Sequence, residues 1–259
     1  MRYRAMHKQM WQLIERRATL RMTGLAARLD LTRPADGLLD VAVGGRPWHA
    51  ARLLGVVAVA SPQNAADAPT ESHVRGADLV VAYEASTHRP VRVDALWRAV
   101  APAVGDKFLA AADLIVSVRT DLLDSRPELG VQSVLPACEI VRLTAPDPIA
   151  GEALPHPENA PAAFGRENGV GCLLFRPPGQ SLSYAEMVHP ADFQRDELHG
   201  GAPGSREVRV VHRLFSMSLE KGVILRARVR GFFVPRGDDA RIAAECHAAF
   251  AAADPPLGT

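Results

Sequence analysis

The chain has 259 residues, with 30 basic and 29 acidic side chains, a net charge of +1 and a hydrophobic fraction of 47%. That balance supplies no global field to draw it to nucleic acid or to an anionic membrane, so neither partner is expected. The longest apolar run, Leu53 to Ala60 broken by Gly55, falls far short of the roughly 20 residues of a spanning helix. The start of the chain carries Arg2, Arg4 and Lys8 and no secretory apolar stretch, so a cytoplasmic location is expected.

From Ala5 to Arg17, Met6, Met10, Leu13, Ile14 and Arg17 recur at helical spacing and predict a short N-terminal helix, with a strand starting at Leu13 as the competing reading. After Gly24 the period becomes two. Leu25, Ala27, Leu29 and Leu31 alternate with polar or small residues, and Leu39, Val41 and Val43 repeat the pattern. Gly44-Gly45 supplies the positive φ angles of a tight hairpin, from which Trp48 to Val59 is expected to return as the partner strand. The alternation continues in Leu79, Val81 and Tyr83, in Val91 to Trp97, and in Leu114, Val116 and Val118. Two segments echo each other, Ala77-Asp78-Leu79-Val80-Val81 and Ala112-Asp113-Leu114-Ile115-Val116.

Residues 144 to 169 hold five prolines with little periodicity and read as a loop or linker. The strands beyond it, near Val170 to Phe175, Leu182 to Val188, Val208 to Phe215 and Val223 to Val234, share the style of those before it. Asp238 is placed to cap a helix with Ile242, Cys246 and Phe250 on one face, ended by Pro255-Pro256. The expectation is one mainly β domain over 1–259, an antiparallel β-sandwich of supersandwich type with short N- and C-terminal helices. Cys138, Cys172 and Cys246 are widely spaced and fit neither a disulfide framework nor a zinc site, so three free thiols and no metal are expected.

No phosphate loop, nucleophile elbow or zinc helix is present, and Gly169-Val170-Gly171 leads into an apolar strand where a dinucleotide loop would open a helix, so no cofactor is expected. Ionisable groups are densest from Tyr184 to His199, where a strand bearing Tyr184 and Glu186 runs out into a loop with His189, Asp192, Asp196, Glu197 and His199. Imidazole beside carboxylates suits general acid-base work, and the same residues would serve equally as solvated loop charges. Glu186 and His189 are expected at the wall of a pocket, with Glu186→Gln and His189→Asn changing stability by no more than about 1 kcal/mol. Arg226, Arg228 and Arg230 fall on one face of a strand. They form either a fork for an anionic ligand or partners for acidic residues of a neighbouring strand. His212 alternates with Val208, Val210 and Leu214, the place of a hydrogen-bonded core histidine.

Trp48, Trp97 and Tyr83 each adjoin a polar residue, a combination that fills cores or stacks on sugars. The leading functional expectation is a binding protein for a small polar ligand of carbohydrate type, with Tyr184, Asp192 and the three arginines as ligand contacts. The run of antiparallel strands with strand-borne Glu186 and His189 is loosely similar in architecture to the galactose-mutarotase-like supersandwich enzymes. That resemblance matches no motif residue by residue. It implies a histidine that protonates a ring oxygen opposite a carboxylate that takes the anomeric proton, with His189 or His212 facing Glu186 or Glu220. A structural or interaction domain without a small ligand is the third expectation, and no oligomeric state follows from the sequence.

Overall fold

The computed structural model describes residues 10–58, 67–87, 89–103, 105–137, 139–145, 150–158, 161–202 and 204–254. A first sheet of five strands runs in chain order through β1 (Trp11–Ile14), β2 (Arg17–Met22), β3 (Leu25–Asp30), β4 (Leu39–Val43) and β5 (Arg46–Pro47). The following strands are β6 (Arg52–Ala58), β7 (Glu71–Arg75), β8 (Asp78–Tyr83), β9 (Arg92–Val100), β10 (Ala110–Arg119), β11 (Leu129–Pro136) and β12 (Glu139–Ala145). Then come β13 (Ala150–Leu154), β14 (Ala162–Gly165), β15 (Cys172–Arg176), β16 (Leu182–Val188), β17 (Arg195–Gly200), β18 (Glu207–Phe215), β19 (Ile224–Pro235) and the helix α1 (Asp239–Ala252). They build a nine-stranded sheet, β13-β12-β15-β16-β19-β10-β9-β8-β7, and a second five-stranded sheet, β14-β17-β18-β11-β6. The pairings are antiparallel throughout, as the period-two apolar pattern requires.

One face of the nine-stranded sheet packs on the two five-stranded sheets. Val93, Ala95 and Trp97 of β9, with Val91 just before it, point into this main core, joined by Leu29, Val131, Val210 and Phe233. Trp97 fixes the layers by donating its indole N–H to the Leu54 carbonyl of β6, and Tyr83 donates its hydroxyl to the Leu31 carbonyl. All three aromatic candidates, Trp48, Trp97 and Tyr83, are therefore core residues. The outer face of the nine-stranded sheet is covered on β12, β15, β16 and β19 by α1. There Phe232, Met187, Leu174, Ile242 and Phe250 form a smaller second core.

Several expectations are corrected. Residues 11–14 and 17–22 pair as strands, because Trp11, Ala18 and Leu20 fill the core at alternate positions; residues 1–9 of the expected N-terminal helix lie outside the described part. Gly44 and Gly45 do turn the chain at φ of 56° and 78°, but the hairpin partner is only Arg46–Pro47, and β6 leaves for the other sheet. The Pro-rich stretch 144–169 is not structureless. It supplies β13 and β14, each closing the edge of a different sheet, where proline and short strands are tolerated. Asp238 precedes α1 without capping it, since its carboxylate is taken by Arg241, while Asp239 is held by Ser183 and Arg176. Cys172 and Cys246 are free thiols, and Cys138 lies outside the described residues.

Candidate functional site

The sandwich interior encloses a closed set of polar side chains that bridges the two sheets. Glu186 and Tyr184 project inward from β16, and Ser133, His212 and Asp196 project toward them from β11, β18 and β17. Glu186 Oε2 accepts hydrogen bonds from the Ser133 hydroxyl and the Tyr184 hydroxyl, both at 2.6 Å. His212 Nδ1 lies 2.6 Å from Asp196 Oδ1, directly across the strand pair. His212 Nε2 approaches Glu186 Oε1 to 3.0 Å, close enough for ion pairing but without the alignment of a hydrogen bond. Burial alone would depress the imidazole pKa, yet the two carboxylates, Asp196 above all, outweigh it and raise it to about 10. Burial, followed by the Glu186 charge, pushes the Tyr184 phenol well above its ordinary value.

Local sequence explains why Ser133 is there. A bulge between Gln132 and Val134 leaves Leu54 opposite Ser133 with φ of 57°, where an ordinary residue is strained. Its N–H donates to Ser133 Oγ and its carbonyl accepts from Trp97, so side chains satisfy the backbone groups that the ladder leaves unpaired.

Glu186 and His212 each have 0% exposed surface, and Tyr184 has 1%. In the conformation described, the Glu186 and His212 side chains are both sealed from solvent. The expectation placed Glu186 at a pocket wall; in the structure it points from β16, inside the nine-stranded sheet, toward the sandwich interior and has no exposed surface. Anomeric proton exchange needs an acid and a base on opposite sides of a sugar, and here the pair is in mutual contact. Glu220 is exposed on the loop between β18 and β19 and cannot face the wholly buried His212.

His189 lies elsewhere, at the end of β16 under α1. Its ring meets the Phe250 ring edge-on at 5.6 Å, Nδ1 accepts a long 3.4 Å bond from the Ala191 N–H, and Nε2 has no partner among the described residues. Asp192 accepts from the Arg228 backbone N–H, and burial raises its pKa. The three arginines of β19 share one face as expected, and the structure gives each a protein partner. Arg226 donates to Ser117 Oγ at 2.9 Å. Arg228 lies 4.0 Å over the Phe250 ring and donates to the Phe250 carbonyl. Arg230 forks onto Asp113 at 2.6 and 2.9 Å. Pairing with an acidic residue of the neighbouring strand is observed at Arg230, whereas Arg226 meets a serine of that strand and Arg228 packs on α1.

Beyond Asp113 the outer face continues toward the uncovered edge. Arg98 of β9 sits in register between Asp113 and Asp78 and forks onto Asp78 at 2.7 and 2.9 Å. The result is a polar row, Asp78–Arg98–Asp113–Arg230, crossing four strands. A second row, Asp94–Ser117–Arg226, runs parallel to it, and between them lies an apolar strip of Val80, Leu96 and Ile115. Alternate positions are about 6.7 Å apart, so the strip is flanked by polar rows within side-chain reach on both sides. Asp78, Val80, Asp94, Leu96 and Arg98 are all partly exposed. The sequence signal for this face was the echo of Ala-Asp-Leu around Asp78 and Asp113. Those two strands flank β9, and each offers its aspartate toward Arg98.

Among the described residues no group of three or more His, Cys, Asp or Glu side chains could hold a metal ion, and no helix is long and apolar enough to cross a membrane. No family model matches the sequence, and no curated protein is similar to it. Solved structures are. A candidate aldose 1-epimerase from Escherichia coli K12 superposes with a TM-score of 0.59 at 11% identity, covering 84% of this chain and 98% of that one. The Slr1438 protein of Synechocystis gives 0.60 at 8% identity, covering 84% and 95%. A GalM/aldose epimerase homologue from C. elegans gives 0.53 at 8% identity, covering 82% and 96%. The fold is thus the aldose-epimerase β-sandwich, while identities this low leave activity to be argued from the residues.

Proposed function

We propose that the protein binds carbohydrate on the open half of the outer face of its nine-stranded sheet. The observation that carries this reading is the apolar strip Val80–Leu96–Ile115 between two rows of charged and hydroxyl side chains. A sugar ring presents apolar C–H patches bordered by hydroxyls. Such a ring would lie on the strip while Arg98, Asp94 and Arg226 bond its hydroxyls. The planar guanidinium of Arg98 is fixed in orientation by its two bonds to Asp78, which also raises its pKa, so it is pre-oriented and always charged. The likeness in fold to proteins named as aldose epimerases supports a sugar over other polar ligands.

Saturation-transfer NMR with a panel of aldoses tests the reading. Binding by at least one aldose is expected, and Arg98→Ala should weaken it about tenfold or more, the scale of a lost charge-assisted hydrogen bond. No transfer to any aldose, or an unaltered affinity in Arg98→Ala, would sink it. A catalytic reading rests on a separate observation, the buried His189 Nε2 that has no partner among the described residues and lies beneath α1 beside Asp192. Polarimetry of anomer interconversion, with His189→Asn as the comparison, decides between recognition alone and turnover.

A further inference from the structure

Five of the large apolar side chains left exposed gather at one end of the molecule. They are Leu122 (49%) and Leu123 (85%) on the loop after β10, Met217 (49%) and Val223 (42%) on the loop before β19, and Ile224 (60%) at the first position of β19. The two loops are tied together. Ser125 and Leu219 exchange both backbone hydrogen bonds, at 3.0 and 2.7 Å, and Ser125 Oγ adds a third to the same carbonyl. Leu219 is wholly buried and anchors the pair, and Arg119 is in register with Ile224 where the strands begin. The apolar residues therefore face outward from a fixed platform. Monomeric surfaces scatter single exposed hydrophobes, whereas a contiguous group rimmed by charge marks a contact surface.

From this platform we infer that the loop end is the twofold interface of a homodimer. The charges around the patch point to a second copy as occupant. Arg119, Arg126 and Lys221 are interspersed with Asp121, Asp124, Glu128 and Glu220, all exposed. A near balance of signs within one patch is what a self-complementary twofold contact needs, since each charge meets the patch's own opposite on the partner. The same balance lacks the basic surplus that holds a protein on an anionic bilayer. With Arg119 and Ile224 the two loops present 15 exposed residues, so neighbouring side chains complete the roughly 20–30 per side of a standard interface. Ile224 opens the strand that carries Arg226 and Arg228, so the partner's loops stand at the edge of the outer sheet face. A 370 Å³ cavity lined by Glu84, Arg92, Arg119, Asp121 and Leu122 lies at the same end.

Sedimentation velocity on the full chain tests the inference. The parent should sediment as a dimer at about 10 µM, and Leu123→Asp should raise the dissociation constant at least tenfold, as should Ile224→Asp made separately. Both residues are exposed, so circular dichroism of each variant should match the parent. A parent that is monomeric at about 0.1 mM, or a dimer that survives both substitutions, overturns it. So does a monomeric parent that floats with vesicles of anionic phospholipid and loses that property in Leu123→Asp, which would make the loops a membrane-contacting tip.

Discussion

Replacing Glu186 by Gln probes the sealed polar set without changing its shape. The amide oxygen can still accept from the Ser133 and Tyr184 hydroxyls, but both bonds lose their charged acceptor. Bonds to charged groups contribute about 1.5–3 kcal/mol and neutral ones about 0.5–1.5, so two such exchanges cost roughly 2 kcal/mol. The amide also leaves the wholly buried His212 imidazolium without its second carboxylate, and breaking one side of a buried pair costs about 3–5 kcal/mol in all. The expected loss is therefore about 3 kcal/mol, well above the 1 kcal/mol expected when this residue is read as a loop-side group. With a urea m-value near 3 kcal/mol/M, the unfolding midpoint should fall by about 1 M. The paired change with His212→Asn should cost less than the sum of the two single changes, because the second substitution relieves the charge stranded by the first. A midpoint shift under about 0.3 M, or strict additivity, would show that Glu186 and His212 are not coupled as the geometry requires.

Two further outcomes follow from the same network. His212 has a folded pKa raised to about 10 against an ordinary value near 6.5, so its contribution is full below about pH 6.5 and declines as pH rises to 10. The slope is about 1.4 kcal/mol per pH unit, and urea titrations at several pH values should show a steeper alkaline loss in the parent than in His212→Asn. At Gly231, paired with Glu186, an added Cβ would lie 2.1 Å from the Tyr184 hydroxyl. Gly231→Ala should therefore displace that ring and cost about 1–3 kcal/mol by thermal denaturation, whereas Gly237→Ala, where an added Cβ meets nothing, should leave the midpoint nearly unchanged.

Strand alternation was legible because it is written in consecutive residues. The faces of β9, β16, β18 and β19 follow directly from period two, including the common side shared by Arg226, Arg228 and Arg230. The first turn of the chain misled because Met10, Leu13, Ile14 and Arg17 satisfy a helical period by coincidence, while burial of Trp11, Ala18 and Leu20 decides for two short strands. The harder loss was distance across the sandwich. Tyr184 and Glu186 were visible as neighbours on one strand, but Ser133 had no signal of its own within an apolar strand, and Asp196 looked like one more loop carboxylate. Only sheet packing reveals that the four, with His212, meet.

That meeting changes the kind of argument the residues support. A histidine between two carboxylates reads in sequence as acid-base chemistry, because those groups titrate near working pH. Enclosed in the sandwich interior, the same groups are buried against one another, and they link β16 of one sheet to β11, β17 and β18 of the other. The groups that stay partly exposed on the outer face lie beside the residues the sequence marked only by repetition: Asp78 of one echoed segment, and Arg98 and Asp94 of the strand between the two. In a sandwich of this type the chemistry-rich residues and the reachable ones can therefore lie on opposite faces of the same strands. Glu186 points inward from β16, and Arg230 points outward from the β19 strand paired beside it.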